Sequence, residues 1–273
     1  MIRFAEARDT YAVRVLFDLC FPDESGFNAY FFDHLYRPEQ TLLYEQADKL
    51  CAMLQMLPYQ LSLNGTAGEA AYIYGACTHP EHRRKHLMAQ LLEASFQEDI
   101  RRGRVASMLI PQEEWLFDFY RPFGYLPMFT LKRQIALQGT FPGANIHRLK
   151  NWCEVDKLYK QKVCQSACFI LRSEDDWKVQ FQLFDALGSG AFGLYEGGDL
   201  AAYAFVWQEE TGLYAQELIA KDMIFQEQLA QALMRRFDKR KFVYDTVGDG
   251  RTLGCLKPYQ PASVRGYINL MFN

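Results

Sequence analysis

Through the first half of the chain, apolar residues switch between a two-residue and a helical period, and each switch marks an element. Residues 1–8 alternate as a short strand, and Asp9-Thr10 can cap a helix whose apolar face holds Val13, Leu16, Phe17 and Cys20. Pro22-Asp23-Glu24-Ser25-Gly26 reads as a turn and Phe27–Tyr36 as a second helix. Thr41–Glu45 reads as a strand, joined by Ala47-Asp48-Lys49 to Leu50–Leu63, a stretch rich in strand formers. Asn64-Gly65 is the strongest hairpin signal in the chain, and Ala70–Cys77 is the returning strand. The period then changes: Leu87, Leu91, Ala94 and Phe96 fall at helical spacing within Leu87–Arg101. Val105–Ile110 reads as a buried strand, Glu113–Tyr120 as a short helix stopped by Arg121–Tyr125, and Phe129–Leu137 as a strand. The order β-α-α-β-β-β-α-β-α-β predicts an α/β (α+β) fold around a mostly antiparallel sheet.

Gly139–Gly143 supplies a connection, and a second block begins near residue 150. It carries a helix around Glu154–Val163, a strand at Ala191–Tyr195 and a turn at Gly197-Gly198-Asp199. Strands at Leu200–Trp207 and Leu213–Ile219 lead to an amphipathic helix at Ile224–Phe237. This strand-strand-strand-helix order echoes residues 41–101 as a degenerate internal repeat. The expected domains are therefore 1–138 and 139–273.

Composition narrows the functional classes. Hydrophobic residues make up 49 % of the 273 positions, including 21 Phe, 16 Tyr and 4 Trp, so a large core is available and disorder is excluded. A formal net charge of −3 argues against a nucleic-acid protein, because the basic runs Arg83–Lys85 and Arg101–Arg104 are too short to grip a polyanion. The seven cysteines, at 20, 51, 77, 153, 164, 168 and 255, include no CxxC and no His at metal-ligand spacing. Free thiols in a reducing cytosol are expected, with no metal site. The charged start Met1–Glu6 is unlike a signal peptide, and no apolar run is long enough for a membrane helix. The expectation is a soluble, cytoplasmic protein without membrane partners.

The chemically informative segment is Tyr72–Met88, where a strand ends, a basic loop follows and a helix starts at once. A helix N-terminus offers free backbone N–H groups and a positive dipole end, and Arg83, Arg84 and Lys85 add charge there. From charge and spacing alone, a phosphate site and a solvated basic helix start are equally good readings.

The segment resembles the acetyl-CoA pyrophosphate loop of the GNAT superfamily, in general form Arg/Gln-x-x-Gly-x-Gly/Ala. Thr78-His79-Pro80-Glu81-His82-Arg83-Arg84-Lys85 is similar to the branch that contains Eis-like acetyltransferases. The resemblance implies a GNAT fold with acetyl-CoA as co-substrate. Ala76, Cys77 and Thr78 would contact the pantetheine arm through their backbone, the Cys77 N–H serving as oxyanion donor. Arg83, Arg84, Lys85, His86, Leu87 and Met88 would form the pyrophosphate loop. His86 stands at the place of the first Gly and Met88 at that of the final Gly/Ala. A side chain at 86 restricts the backbone, or donates to a phosphate oxygen.

Further along, Phe119-Tyr120-Arg121-Pro122-Phe123-Gly124-Tyr125 is similar to the Phe-Tyr-x-x-x-Gly-Phe/Tyr stretch of GNAT enzymes, which implies Tyr120 as general acid on the departing CoA thiolate. On composition alone the same stretch is an aromatic helix end. The acceptor side is less marked: Asp23, Glu24, Asp33, His34, Glu113 and Glu114 are candidates to bind or deprotonate a small-molecule or protein amine. The second block resembles the GNAT-like second domain of the same branch, with Gly254–Pro258 and Tyr267–Asn273 as its last strands. It lacks an Arg-rich loop after Ile219 and a second Phe-Tyr-x-x-x-Gly, and reads as a non-catalytic copy. Eis proteins continue into a sterol-carrier-like third domain, for which this length leaves no room, so their aminoglycoside specificity is not carried over. The leading expectation is an N-acetyltransferase acting by direct transfer. The alternative is a GNAT-fold protein that binds CoA or another ligand with little or no transfer.

Overall fold

Strand β1, Ile2–Phe4, pairs antiparallel with β2, Thr41–Gln46, with Arg3 opposite Leu43. The Arg3 guanidinium donates to Asp9 at 2.7 and 2.9 Å and to Glu45 at 2.7 and 2.9 Å. Asp9 is therefore not the helix cap expected from the sequence. Its carboxylate accepts from Arg3 and from the Glu6 N–H at 2.8 Å, which holds a 3-10 turn at Ala7–Asp9. Helix α1, Thr10–Cys20, follows and buries Val13, Leu16 and Phe17. Helix α2, Phe27–Tyr30, runs on as wider π-helical turns over Phe31–Leu35, and the neighbouring Phe31 and Phe32 are both buried.

Strand β2 turns through Ala47 and Asp48, both at positive φ, into β3, Lys49–Leu63. Asn64 (φ 51°) and Gly65 (φ 80°) then turn β3 into β4, Thr66–Thr78, as the Asn-Gly signal predicts. Helix α3, Leu87–Arg101, packs Leu87, Leu91, Leu92 and Phe96 into a core with Leu54, Met56 and Ile73. Strand β5, Ala106–Leu109, lies parallel to β4, and α4, Trp115–Tyr120, ends in a 3-10 turn closed by Gly124 at φ 89°. Arg104, the last residue of the basic run Arg101–Arg104, is buried, donating to Asp99 at 3.0 Å and Glu69 at 2.7 Å.

The computed structural model describes residues 1–141, 144–262 and 265–272, so Pro142 and Gly143 of the Gly139–Gly143 connection, and Asn273, lie outside the described residues. Two units emerge. The first comprises Met1–Leu61, Gly68–Pro127 and Cys255–Ser263. In it Cys255–Pro258 runs antiparallel to β5, with Cys255 opposite Leu109 and Pro258 opposite Ala106. Its sheet order is thus β1-β2-β3-β4-β5 followed by that segment. The sequence reading placed Gly254–Pro258 among the last strands of the second block, and this pairing with β5 corrects it. Strand β6, Leu126–Leu137, is grouped from Met128 onward with the second unit. Local alternation marks a strand but does not name its neighbour.

The second unit comprises Ser62–Ala67, Met128–Gly254 and Val264–Asn273. After β6 come β7 (Ile146–Arg148), α5 (Trp152–Val163), β8 (Cys168–Leu171), α6 (Glu174–Ala186) and β9 (Gly190–Glu196). Then follow β10 (Asp199–Gln208), β11 (Leu213–Ala220), α7 (Met223–Arg236), β12 (Lys241–Pro258) and β13 (Gly266–Tyr267). Strands β9, β10 and β11 pair antiparallel, and β11 pairs parallel with β12 across α7, as β4 does with β5 across α3. At its centre Arg172 donates to Glu217 at 2.8 and 2.9 Å, and Tyr203 and Tyr267 donate to the same carboxylate. That buried pair is fully hydrogen-bonded and needs no ligand to satisfy it. Among the described residues, no helix is long and apolar enough to cross a membrane.

Candidate active site

Strands β4 and β5 hold together over a short stretch, Ala70, Ala71 and Tyr72 opposite Ala106, Ser107 and Met108. Beyond it they part. Leu109 ends β5 with Cys255 as its partner, while β4 runs on past Tyr72, the last residue in register with β5, as far as Thr78. Gly75 sits on that stretch at φ 57°, and a Cβ there would lie 2.6 Å from the Phe17 ring and 3.2 Å from the Gln55 amide nitrogen. Glycine is needed for the backbone turn and for the close approach alike. Strand backbone groups beyond the point where two strands part can bind an extended amide-bearing chain in the manner of an added strand. Ala76, Cys77 and Thr78 lie on this stretch.

The end of β4 leads into the basic loop. His79 opens a 3-10 turn at Pro80–His82 and its Nδ1 accepts from the Glu81 N–H at 3.3 Å. Arg83, Arg84, Lys85 and His86 are exposed, Leu87 is buried and Met88 half-buried against the α3 core. Leu87 and Met88 can therefore offer a ligand their backbone, not their side chains. Arg84 and His86 both take positive φ, 63° and 57°. His86 thus adopts the left-handed conformation that a Gly would take without strain.

The start of α3 has no side-chain cap, whereas α5, α6 and α7 are capped by Asn151, Ser173 and Asp222. Its first N–H groups, with three cations just ahead of them, are open to an anion. At α7 the Asp222 carboxylate accepts from Ile224 and Phe225 N–H at 2.8 and 3.1 Å, so a negative charge already fills the matching place. Calorimetric titration with CoA is expected to give one site per chain. A stoichiometry of two would contradict the reading of the second unit as a non-catalytic copy.

Residues 1–128 match the family model of the GNAT acetyltransferase domain. The first half of the chain is a GNAT domain. Solved structures extend the fold likeness over nearly the whole chain. A GCN5-related N-acetyltransferase from Anabaena variabilis is 15 % identical, with a TM-score of 0.73 over 94 % of this chain and 72 % of that one. A conserved protein from Enterococcus faecalis, described as a probable N-acyltransferase, is 15 % identical, with a TM-score of 0.72 over 95 % of this chain and 71 % of that one. Eis1 from Mycobacterium abscessus is 14 % identical, with a TM-score of 0.66 over 94 % and 73 %. Among curated proteins, none matches the sequence.

In the GNAT domain, Tyr120 ends α4 with its ring in the core against Tyr125, at 5.7 Å between centroids, and Phe119, at 5.0 Å. Its hydroxyl has no hydrogen-bond partner among the described residues, unlike that of Tyr125, which is 2.7 Å from the Ser107 hydroxyl. Burial, reinforced by the Cys255 and Cys77 thiols, pushes the Tyr120 pKa up to about 12. The phenol is therefore a proton carrier throughout the neutral range, with its donor free. Lys257 fixes the end of the motif, donating to the Phe123 carbonyl at 2.7 Å with its ammonium 4.3 Å from the Phe96 ring centre.

Of the acceptor-side candidates, Asp23 is engaged in its own turn, accepting from Ser25 N–H and Oγ and from Asn28 N–H. Asp33 faces Arg14 at 3.4 Å, His34 packs on Tyr30, and Glu113 accepts from the Trp115 indole at 2.5 Å. Glu24 and Glu114 are exposed. Among the described residues, these six form no close group of carboxylate and imidazole side chains.

Three features escaped the sequence reading. Gln55 is fully buried beside Gly75 with neither amide atom hydrogen-bonded, and nothing in a strand's alternation singles out such a residue. The 3-10 turn brings His79, Glu81 and His82 ligand atoms within 4.8 Å of one another, although no helical or CxxC spacing announces them. Cys20, read as one more apolar position of α1, lies at the end of β4, its Sγ 3.7 Å from the Thr78 carbonyl oxygen.

The left-handed His86 makes a direct prediction. His86→Gly should raise stability by roughly 0.5–1 kcal/mol, the strain relieved less the added chain entropy. It should also tighten CoA binding about threefold, because the backbone then approaches phosphate freely. Thermal unfolding and calorimetric titration measure the two effects separately. Weaker binding would show that the imidazole itself contacts phosphate.

Proposed function

We propose that this protein transfers an acetyl group from acetyl-CoA to a primary amine of a small-molecule or protein acceptor, by direct attack of the amine on the thioester. Membership of the first half in the GNAT family supports acyl transfer. The single observation that carries the reading further is the presence in one unit of three parts: the end of β4 beyond its register with β5, the uncapped basic start of α3, and the unpartnered Tyr120 hydroxyl.

In this reading the α3 N–H groups with Arg83, Arg84 and Lys85 hold the pyrophosphate. Backbone groups of Ala76, Cys77 and Thr78 hold the pantetheine amides, and Tyr120 donates to the sulfur as charge builds on it. A phenol near 12 is a weaker acid than a thiol near 8.5, so its main contribution is a hydrogen bond that strengthens in the transition state. Cys77 is a poor candidate for a covalent acyl intermediate, because burial pushes its pKa well up and Cys20 sets it further against ionisation. One observation favours binding without transfer: His86 holds a strained conformation where a Gly would leave the phosphate path open.

Acetyl-CoA turnover, followed as free thiol release over a panel of primary amines beside a thermal shift with CoA, separates the two. Amine-dependent thiol release is the expected result. A CoA-induced shift with no release on any amine would favour the binding protein.

A further inference from the structure

The turn between β4 and the basic loop carries two imidazoles and a carboxylate in the short run His79-Pro80-Glu81-His82. In a 3-10 turn, side chains three positions apart lie one above the other, so His79 and His82 share a face. Their ring centres are 5.8 Å apart. One ligand atom from each of His79, Glu81 and His82 lies within 4.8 Å of the other two. The backbone beneath them is fixed. The His79 N–H donates to the Cys51 carbonyl of β3 at 2.9 Å, and the His82 N–H closes the turn on the His79 carbonyl at 2.8 Å. Pro80, at the first position of the turn, locks one more backbone angle.

His82 adds an independent sign. Its Nδ1 is shut off from solvent and has no hydrogen-bond partner among the described residues. A buried polar atom in a native protein is met by a protein group, a water or an ion. Beside His79 and Glu81, the partner that suits a bare imidazole nitrogen is a metal.

We propose that His79, Glu81 and His82 hold a divalent metal ion of the zinc class at the head of the basic loop. Two imidazoles and one carboxylate suit Zn²⁺ better than Mg²⁺ or Ca²⁺, which take oxygen ligands. Three protein ligands leave a fourth position to water. With metal–ligand bonds of about 2.0–2.1 Å, tetrahedral ligand atoms stand about 3.3 Å apart. The exposed Glu81 and the half-buried imidazoles reach that spacing by side-chain rotation. One internal contact gives way. His79 Nδ1 accepts from the Glu81 N–H at a long 3.3 Å, and ligation through either ring nitrogen ends that bond. A metal on Nδ1 takes its lone pair, and a metal on Nε2 leaves the proton on Nδ1. The freed N–H lies at the surface, where water replaces the imidazole.

Arg83, Arg84 and Lys85 follow directly and oppose a dication, with the Glu81 carboxylate against them. The expected affinity is therefore about micromolar, well short of a structural zinc site. Cysteine spacing predicts no metal, and none of these ligands is a cysteine. None is a group that the acyl-CoA reading uses, so metal binding and CoA binding succeed or fail separately.

The test uses the full chain, stripped with a chelator and dialysed to equilibrium against zinc chloride. The expected result is one zinc per chain with a Kd of about 1 µM. His79→Ala and His82→Ala should each weaken binding at least about tenfold, since losing a ligand costs no less than losing a residue that supports one. A Cys153→Ser/Cys164→Ser variant should bind as the wild type does, because these exposed thiols lie outside the turn. Cobalt(II) in place of zinc reads the ligands on the unaltered chain. Its absorption should show nitrogen and oxygen ligation, with no sulfur-to-cobalt charge-transfer band. Three results would each overturn the proposal: no binding at about 100 µM zinc, wild-type affinity in the His79→Ala/His82→Ala double variant, or a cobalt spectrum of thiolate ligation.

Discussion

Tyr120→Phe should lower kcat by roughly 10²-fold or more, with little change in KM for acetyl-CoA. The reasoning starts from what the hydroxyl lacks. It has no hydrogen-bond partner among the described residues, so removing it breaks no internal contact, while the ring keeps its packing against Phe119 and Tyr125. Thermal stability should therefore be nearly unchanged. What is lost is a donor to a sulfur that carries charge only as the thioester breaks, which is why the effect belongs to kcat. The pKa of about 12 keeps the phenol protonated at neutral pH, so no alkaline fall in rate from Tyr120 should appear between pH 6 and about 9. A purely structural Tyr would give the opposite result, a loss of stability with turnover intact. The comparison must be made on an amine for which chemistry limits the rate.

The second large effect is expected at the loop. Replacing Arg83 and Arg84 together with Ala should weaken CoA binding at least about tenfold at low salt, since each charge-assisted contact to phosphate is worth more than a neutral hydrogen bond. Both side chains are exposed, and Arg83 donates to the Thr78 carbonyl. Folding stability should change little. The difference between wild type and variant should shrink as salt is raised, because exposed charges are screened. Calorimetric titration at low and high ionic strength measures both quantities. Equal affinity in the two proteins would remove Arg83 and Arg84 from the cofactor site.

Much of the frame is legible in the residues. The Asn64-Gly65 turn, the helical spacing of Leu87–Arg101 and the Gly124 stop each record a local rule that the structure obeys. The junction between β4 and α3 could be read for the same reason: its chemistry depends on backbone groups and charges that are consecutive in sequence. What the sequence hid is non-local. Cys255–Pro258 pairs with β5 from the far end of the chain, and strand alternation carries no record of that partner. Arg104 looks like the end of a basic run until Asp99 and Glu69 close on it. Cys20 reaches the Thr78 carbonyl only because α1 lies against β4, and the apolar spacing of α1 reports Cys20 as an ordinary core position. Helix α6 was legible in principle, since Ser173 and Asp176 form a reciprocal cap, but its apolar face is weakly marked. Asp9 shows the converse: a residue type suited to capping was claimed by Arg3.

A crystal structure of the protein with bound CoA is the most direct measurement. The pyrophosphate should lie on the α3 N-terminus within hydrogen-bond reach of Arg83–Met88 groups. The pantetheine arm should run along Ala76–Thr78 in the gap beyond Tyr72 and Met108, and the sulfur should sit within hydrogen-bond distance of the Tyr120 hydroxyl. CoA bound elsewhere, or with its sulfur out of reach of Tyr120, would contradict the assignment of this site.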